Sequence, residues 1–219
     1  MRSYRFELAL GLVFVLLILA VWCWQNPGGL RQPLSRPEQE HFLAELEKLP
    51  LPEAERQALR PVLSAWMQGD DGRPFYMLNL MRYHPALQPL PGAPAFAGTP
   101  QQSNAYYEDR VMPLLLKVGG QPLYAGTIED ANLLEHAEEL DHWSRLLLVR
   151  YPNRRAFLKL LADPAYAPIE PYKFMALKVM LTPTMPEMVL PPLYALLAAL
   201  LLPLYLAIGW WRAVRAQRA

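Results

Sequence analysis

The chain has 219 residues, 53% of them hydrophobic and 19% charged, with a formal net charge of +1 at neutral pH. That balance, without any dense basic run, excludes a charge-driven nucleic-acid binder. The single cysteine, Cys23, excludes an internal disulfide.

The apolar excess sits at the two ends. Leu8–Trp24 and Met188–Trp211 run without a charge, and each approaches the roughly 20 apolar residues that cross a bilayer. Arg2 and Arg5 ahead of the first run would suit a signal peptide, but Trp22-Cys23-Trp24-Gln25-Asn26-Pro27-Gly28-Gly29 has no small-residue cleavage site, which predicts an uncleaved anchor. Trp22 before Cys23 also fits a lipid acceptor poorly. Trp22, Trp24, Trp210, Trp211 and Tyr4 suit the headgroup boundary, and Pro203 predicts a kink in the second run. Two spans put both termini on one side. Arg2, Arg5, Arg212, Arg215 and Arg218 place that side in the cytoplasm, with Arg31 and Arg36 counting against it. The expectation is a two-span protein of a bacterial inner (cytoplasmic) membrane with a periplasmic domain between the spans.

The chain then divides into a cytoplasmic tail (1–6), a span (7–25), a linker (26–36), a helical extension (37–70), a folded domain (71–184), a second span (188–211) and a basic tail (212–219). Glu38–Leu49 carries Phe42, Leu43, Leu46 and Leu49 at helical spacing. The next helix presents Leu59, Val62, Leu63, Trp66 and Met67, and its Pro61 predicts a kink or two short helices. A turn at Gly69-Asp70-Asp71-Gly72 delivers the first strand. Along it Phe75, Met77, Asn79, Met81 and Tyr83 share one face, and Tyr76, Leu78, Leu80 and Arg82 the other. Both faces are apolar enough for burial; Tyr76, Leu78 and Leu80 are expected under the helices, and Asn79 on the opposite side.

Pro85–Gln102 reads as an irregular lid or insertion. Ser103–Val118 reads as a helix with Tyr107, Val111, Leu114, Leu115 and Val118 buried, stopped by Gly119-Gly120. Strands follow over Gln121–Ile128, Trp143–Tyr151 and Lys173–Leu181, with a helix over Asn153–Ala162 that Asn153 can cap. This β–α–β–β–α–β order predicts an α+β, ferredoxin-like fold: a four-stranded antiparallel sheet with helices on one face, preceded by helices and flanked by two transmembrane helices.

Several stretches together resemble a known family. They are Met77-Leu78-Asn79-Leu80-Met81-Arg82-Tyr83, the Tyr106-Tyr107 helix ending at Gly119-Gly120, Trp143, Leu148-Val149-Arg150-Tyr151-Pro152-Asn153-Arg154, and Asp163-Pro164-Ala165-Tyr166. From Pro74 to Thr182, about half the chain, they look like longer-form members of the domain-of-unknown-function family numbered thirteen-thirty, within the dimeric α/β-barrel superfamily. The resemblance implies a homodimer whose two sheets face each other around a shared interior. It assigns no activity and no catalytic residue. The superfamily includes cofactor-free monooxygenases, haem-degrading enzymes, lactone isomerases, chlorite-decomposing haem enzymes and non-catalytic binding domains, so fold is only an analogy for function. The two spans and the helices over Glu38–Gln68 depart from its small soluble members.

Asn79 is the one polar side chain amid the apolar middle of the first strand. It either orients a polar group of a ligand or bonds a neighbouring strand, the second being preferred because an unpaired buried amide costs roughly 1–3 kcal/mol. Arg145 and Arg150 fall on opposite faces of the third strand, and whichever points inward is a candidate anion clamp. Lys178 is a second interior charge or an edge-strand lysine. Glu135-His136-Ala137-Glu138-Glu139-Leu140-Asp141-His142-Trp143 concentrates histidines and acids, but without a recognised metal spacing. No metal and no cofactor is assigned. The catalytic candidates are His142 as proton shuttle, with Asn79 and Arg145. The ligand-binding candidates are Asn79, Met77, Met81, Trp143, Tyr124 and Lys178.

The leading expectation is a membrane-anchored homodimer whose shared barrel interior, faced by Asn79, Met77 and Met81, binds a small, lipophilic or aromatic molecule, its partners being the bilayer and a second copy. A cofactor-independent oxygenase or isomerase is the first alternative and a non-catalytic structural envelope protein the second. P-loop, dinucleotide, nucleophile-elbow and haem-attachment motifs are absent.

Overall fold

The computed structural model describes residues 4–27, 31–48, 53–90, 93–129, 133–134, 142–186 and 191–218. In chain order these form α1 (Tyr4–Gln25), α2 (Arg36–Leu46), α3 (Glu53–Gln68), β1 (Phe75–Tyr83), α4 (Pro100–Lys117), β2 (Gln121–Thr127), β3 (Arg145–Tyr151), α5 (Arg154–Leu161), α6 (Glu170–Ala176), β4 (Leu177–Thr184) and α7 (Leu193–Arg218). They fall into two compact units, Met1–Asn26 with Glu187–Ala219, and Pro27–Pro186.

The first unit pairs α1 with α7, both long and apolar enough to cross a membrane. Glu7 meets Arg212 at 2.6 Å, Phe14 meets Tyr205 edge-on at 6.5 Å, and the Tyr194 N–H donates to Gln25 Oε1 at 3.4 Å. The residue numbers rise along one helix as they fall along the other, so the pair is antiparallel. Pro203 lies inside a single continuous α7.

The second unit is α+β, with an antiparallel sheet in the order β2-β3-β1-β4. The expected ferredoxin-like arrangement is present. Pro122 and Pro183 fall on the two edge strands, where a missing backbone donor is tolerated.

The two faces of β1 are opposite to expectation. Phe75, Met77, Asn79 and Met81 are the buried set, and Phe75 and Met77 pack with Tyr107 and Leu115 of α4, Leu160 of α5, and Tyr166 and Ile169. Tyr76, Leu78 and Leu80 point to the other, half-exposed side. Alternation along a strand separates two faces without saying which one the helices cover. With both faces apolar, Asn79 drew the assignment toward the uncovered side, whereas a buried partner satisfies it under the helices.

Element boundaries moved for local reasons. α4 begins three residues earlier than expected, because Thr99 and Gln102 form a reciprocal capping box: Gln102 N–H donates to Thr99 Oγ1 at 3.2 Å and Thr99 N–H to Gln102 Oε1 at 2.8 Å. Asn153 caps α5 as expected, accepting from Ala156 N–H at 2.8 Å. α3 runs as one helix through Pro61. The segment expected as a strand from Lys173 starts instead with α6, and β4 begins at Leu177. Lys173-Phe174-Met175-Ala176 fits either period, and Pro171 near the N-terminus of α6 suits a helix start.

The segment between β1 and α4 lies against its neighbours. Gln88 N–H donates to Met175 O at 2.9 Å, and Phe96 packs edge-on against Tyr106 and Tyr172 at 5.8 and 5.6 Å. At the other end, Arg155 of α5 binds Glu38 of α2 at 2.7 Å and the carbonyls of Gln32 and Pro33 at 3.1 Å. Gly72 adopts a φ of +67°, and a Cβ there would stand 2.9 Å from the Arg31 backbone, so this turn needs glycine twice over.

Candidate functional site

Packing between the sheet and its helices leaves a cavity of about 160 Å³. Its apolar wall comes from the residues that alternate onto the helix face of β1 and β3, namely Met77, Met81, Leu147 and Val149, with Val111 and Leu115 one turn apart on α4. Its polar end is formed by Asn79 on β1, Arg145 on β3, Asn104 and Glu108 on α4, and Lys173 on α6.

Lys173 is 7% exposed, and its ammonium donates to Asn79 Oδ1 at 3.3 Å and stands 5.4 Å from the centre of the Tyr107 ring. Asn79 Nδ2 in turn donates to the carbonyls of Met77 at 3.2 Å and Leu147 at 3.3 Å. Across the cavity Arg145 donates to Glu108, which also accepts from Asn104 Nδ2 at 3.0 Å. Asn104 is 1% exposed, and its Oδ1 accepts no hydrogen bond from the described residues.

Burial decides the protonation of these groups. It pulls the Lys173 ammonium down to about 8, against the pull of the Glu108 and Glu170 carboxylates. It pushes the Glu170 carboxyl up to about 7, against the nearby Lys173. Burial also holds the Tyr107, Tyr151 and Tyr166 hydroxyls protonated well beyond neutral pH. The cavity therefore offers a cation, Lys173, close to one further group, Glu170, and burial brings both toward neutrality.

A wider, open groove of about 410 Å³ adjoins it, walled by Leu59, Val62, Leu63 and Trp66 of α3 and by Phe174, Leu181 and Pro183. Met77, Phe157, Leu161, Tyr166 and Leu181 line both spaces, and Glu170 faces the groove with its Oε2 accepting no hydrogen bond from the described residues. The groove and the cavity that ends at Lys173 thus share an apolar wall.

Of the residues singled out from sequence, Asn79, Met77, Met81 and Arg145 come together, but in the cavity under the helices and not on the sheet face turned toward a second copy, where the sequence reading places the ligand. His142 is exposed, in a left-handed backbone conformation with φ 63° just before β3. Trp143 lies beneath Arg82, 5.1 Å from its guanidinium. Tyr124 is 59% exposed on the uncovered face, and Lys178 is exposed opposite Arg82. None of these four lines the cavity. Glu135–Asp141, including His136, Glu138 and Glu139, lies outside the described residues.

Sequence reasoning missed Lys173, Asn104, Glu108 and Glu170. Asn104 and Glu108 carried a usable signal, since they fall in phase with Tyr107, Val111 and Leu115 on the buried stripe of α4. Lys173 carried little, because its segment was expected as strand.

No family model and no curated protein matches the chain. Among solved structures, RPA0582, a protein of unknown function from Rhodopseudomonas palustris, aligns with a TM-score of 0.52 at 23% identity, covering 59% of this chain and 94% of its own. Its methylated form aligns with a TM-score of 0.52 at 24% identity, over 58% and 91% of the two chains. These likenesses establish a shared fold. SnoaB, a cofactor-independent oxygenase from Streptomyces nogalater, aligns with a TM-score of 0.34 at 12% identity over 54% of this chain and 98% of its own, too loosely to bear on this one.

Proposed function

We propose that the protein is a membrane-anchored binding protein of the dimeric α/β-barrel type, whose soluble unit takes a small, largely apolar molecule into the cavity between sheet and helices. The observation that carries this reading is the buried Lys173–Asn79 contact at the end of a largely apolar space that shares its wall with an outer groove. Pockets with mostly apolar walls and a few convergent polar groups suit small ligands. The arginines beside the two apolar helices favour cytoplasmic ends, and so a periplasmic soluble unit on a bacterial inner membrane. The uncovered sheet face, carrying Leu78, Leu80, Leu146 and Leu148, suits pairing with a second copy.

A catalytic role, as a cofactor-independent oxygenase or isomerase, is the second reading. It is favoured by Glu170 and Lys173, which burial brings toward neutrality from opposite sides. A purely structural role would leave this costly buried charge without a purpose.

Ligand-observed NMR of the full chain in lipid nanodiscs, against a library of small apolar fragments, tests the binding reading. The expected outcome is a set of binders whose signals disappear with Met77→Trp, which fills the space shared by cavity and groove. A library with no Met77-dependent binder counts against it.

A further inference from the structure

The charge balance of the cavity narrows the ligand class. Lys173 carries three N–H donors, of which one is given to Asn79. Among the described residues no carboxylate oxygen comes within 4.0 Å of its ammonium. The nearby acids are otherwise placed: Glu108 is held by Arg145 and Asn104, and Glu170 faces the outer groove. Arg145 is thereby neutralised, which leaves Lys173, while Glu170 is protonated, as a positive charge without a contacting carboxylate at the polar end of the cavity.

Building on the binding reading above, we infer that the cavity takes an apolar monocarboxylic acid, its carboxylate on the Lys173 ammonium and its hydrocarbon body directed past Phe157 and Leu161 into the groove of α3. A neutral molecule leaves the buried ammonium without a counter-charge, and a cation is repelled by it. A dianion such as a phosphate monoester needs a second free cation, and Arg145 is spent on Glu108. A phenol ionises near 10, above Lys173 itself at about 8, so it binds undissociated; a carboxylic acid is ionised throughout the neutral range.

The groups facing Lys173 also give the complex a pH dependence. They are Glu108 and Tyr107 on α4, Arg145 on β3, and Tyr166 and Glu170 beside it. The tyrosines stay protonated, and Glu108 stays paired. Glu170 and Lys173 itself are the ones that change: above about 7 the Glu170 carboxylate competes with the ligand for Lys173, and toward about 8 the ammonium gives up its proton. Carboxylate binding therefore weakens as pH rises from about 6 to 8.

Isothermal titration of the full chain in nanodiscs with 3-phenylpropionate and octanoate, each beside its neutral amide, tests the inference. At about pH 6 at least one acid is expected to bind about tenfold or more tightly than its amide. Lys173→Met should bring the pair within about twofold, and Glu170→Gln should keep at about pH 7 the preference that the native chain has begun to lose there, both proteins losing it above about pH 8 as Lys173 itself gives up its proton. The ratio in the native chain stands on its own should Lys173→Met fold poorly. Acid and amide binding equally, both lost with Met77→Trp, overturns the carboxylate assignment and leaves the binding reading intact. Neither acid nor amide binding at any pH overturns both.

Discussion

The ammonium of Lys173 on α6 lies 3.3 Å from the Oδ1 of Asn79 on β1, with both side chains nearly excluded from solvent. Two residues 94 positions apart thus join the last helix of the second unit to a central strand of its sheet. The contact leaves most of the ammonium's hydrogen-bonding capacity unspent at a cavity wall. It both closes the fold and defines the candidate site.

Replacing Asn79 by Leu should remove the one hydrogen-bond acceptor of that ammonium among the described residues and cost about 1–3 kcal/mol. The double variant Asn79→Leu with Lys173→Met should lose less than the sum of the two single losses, since the charge that needed a partner is gone. Thermal unfolding of the full chain in mild detergent, followed by near-UV circular dichroism, measures this. A strictly additive pair would mean that the two side chains are uncoupled.

Stability should depend on pH in two opposite limbs. Glu170 is raised from 4.5 to about 7 on folding, so the folded chain holds the extra proton between those values and stability falls as pH rises through them, by roughly 3 kcal/mol at most. Lys173 is lowered from 10.5 to about 8, so the unfolded chain holds the extra proton there and stability recovers as pH rises from about 8 toward 10.5. Glu170→Gln should flatten the first limb and Lys173→Met the second, read from denaturant midpoints across the pH range.

The Arg155 guanidinium holds the Glu38 carboxyl down at about 2. Its contribution is present above the usual carboxylate range and is lost as pH falls from about 4.5 toward 2. Glu38 is 37% exposed, so solvent screens the pair and the energy is modest. The effect of Arg155→Ala should be local: faster hydrogen exchange in residues 31–46, with β1 unchanged. Equal protection of 31–46 in both proteins would show that this ion pair does not hold α2.

Pairing of two copies through the uncovered sheet face predicts that Leu148→Glu, which puts a carboxylate beside Leu78 and Tyr124, converts a dimer to a monomer by light scattering in detergent. Met81→Leu, on the covered face, should remain dimeric. A native chain that is already monomeric rules out the pairing.

Much of this architecture was readable from the residues. The charge-free runs marked α1 and α7, the two-residue period marked β1, and Asn153 announced α5. The site was legible only in part. Asn79 stood out as a polar residue in an apolar strand, but alternation could not say which face the helices would cover. Lys173 could not be placed, because four apolar-compatible residues between Glu170 and Leu177 satisfy helix and strand periods alike. Its meeting with Asn79 depends on how α6 docks on the sheet, a long-range outcome that no local pattern encodes.

The most direct test of ligand binding in the cavity is native mass spectrometry of the full chain released from membranes in a mild detergent, set beside the Met77→Trp variant. The native chain should carry a small molecule that survives detergent removal, and the variant should not. A native chain of bare polypeptide mass, or an identical adduct on both proteins, would contradict the account.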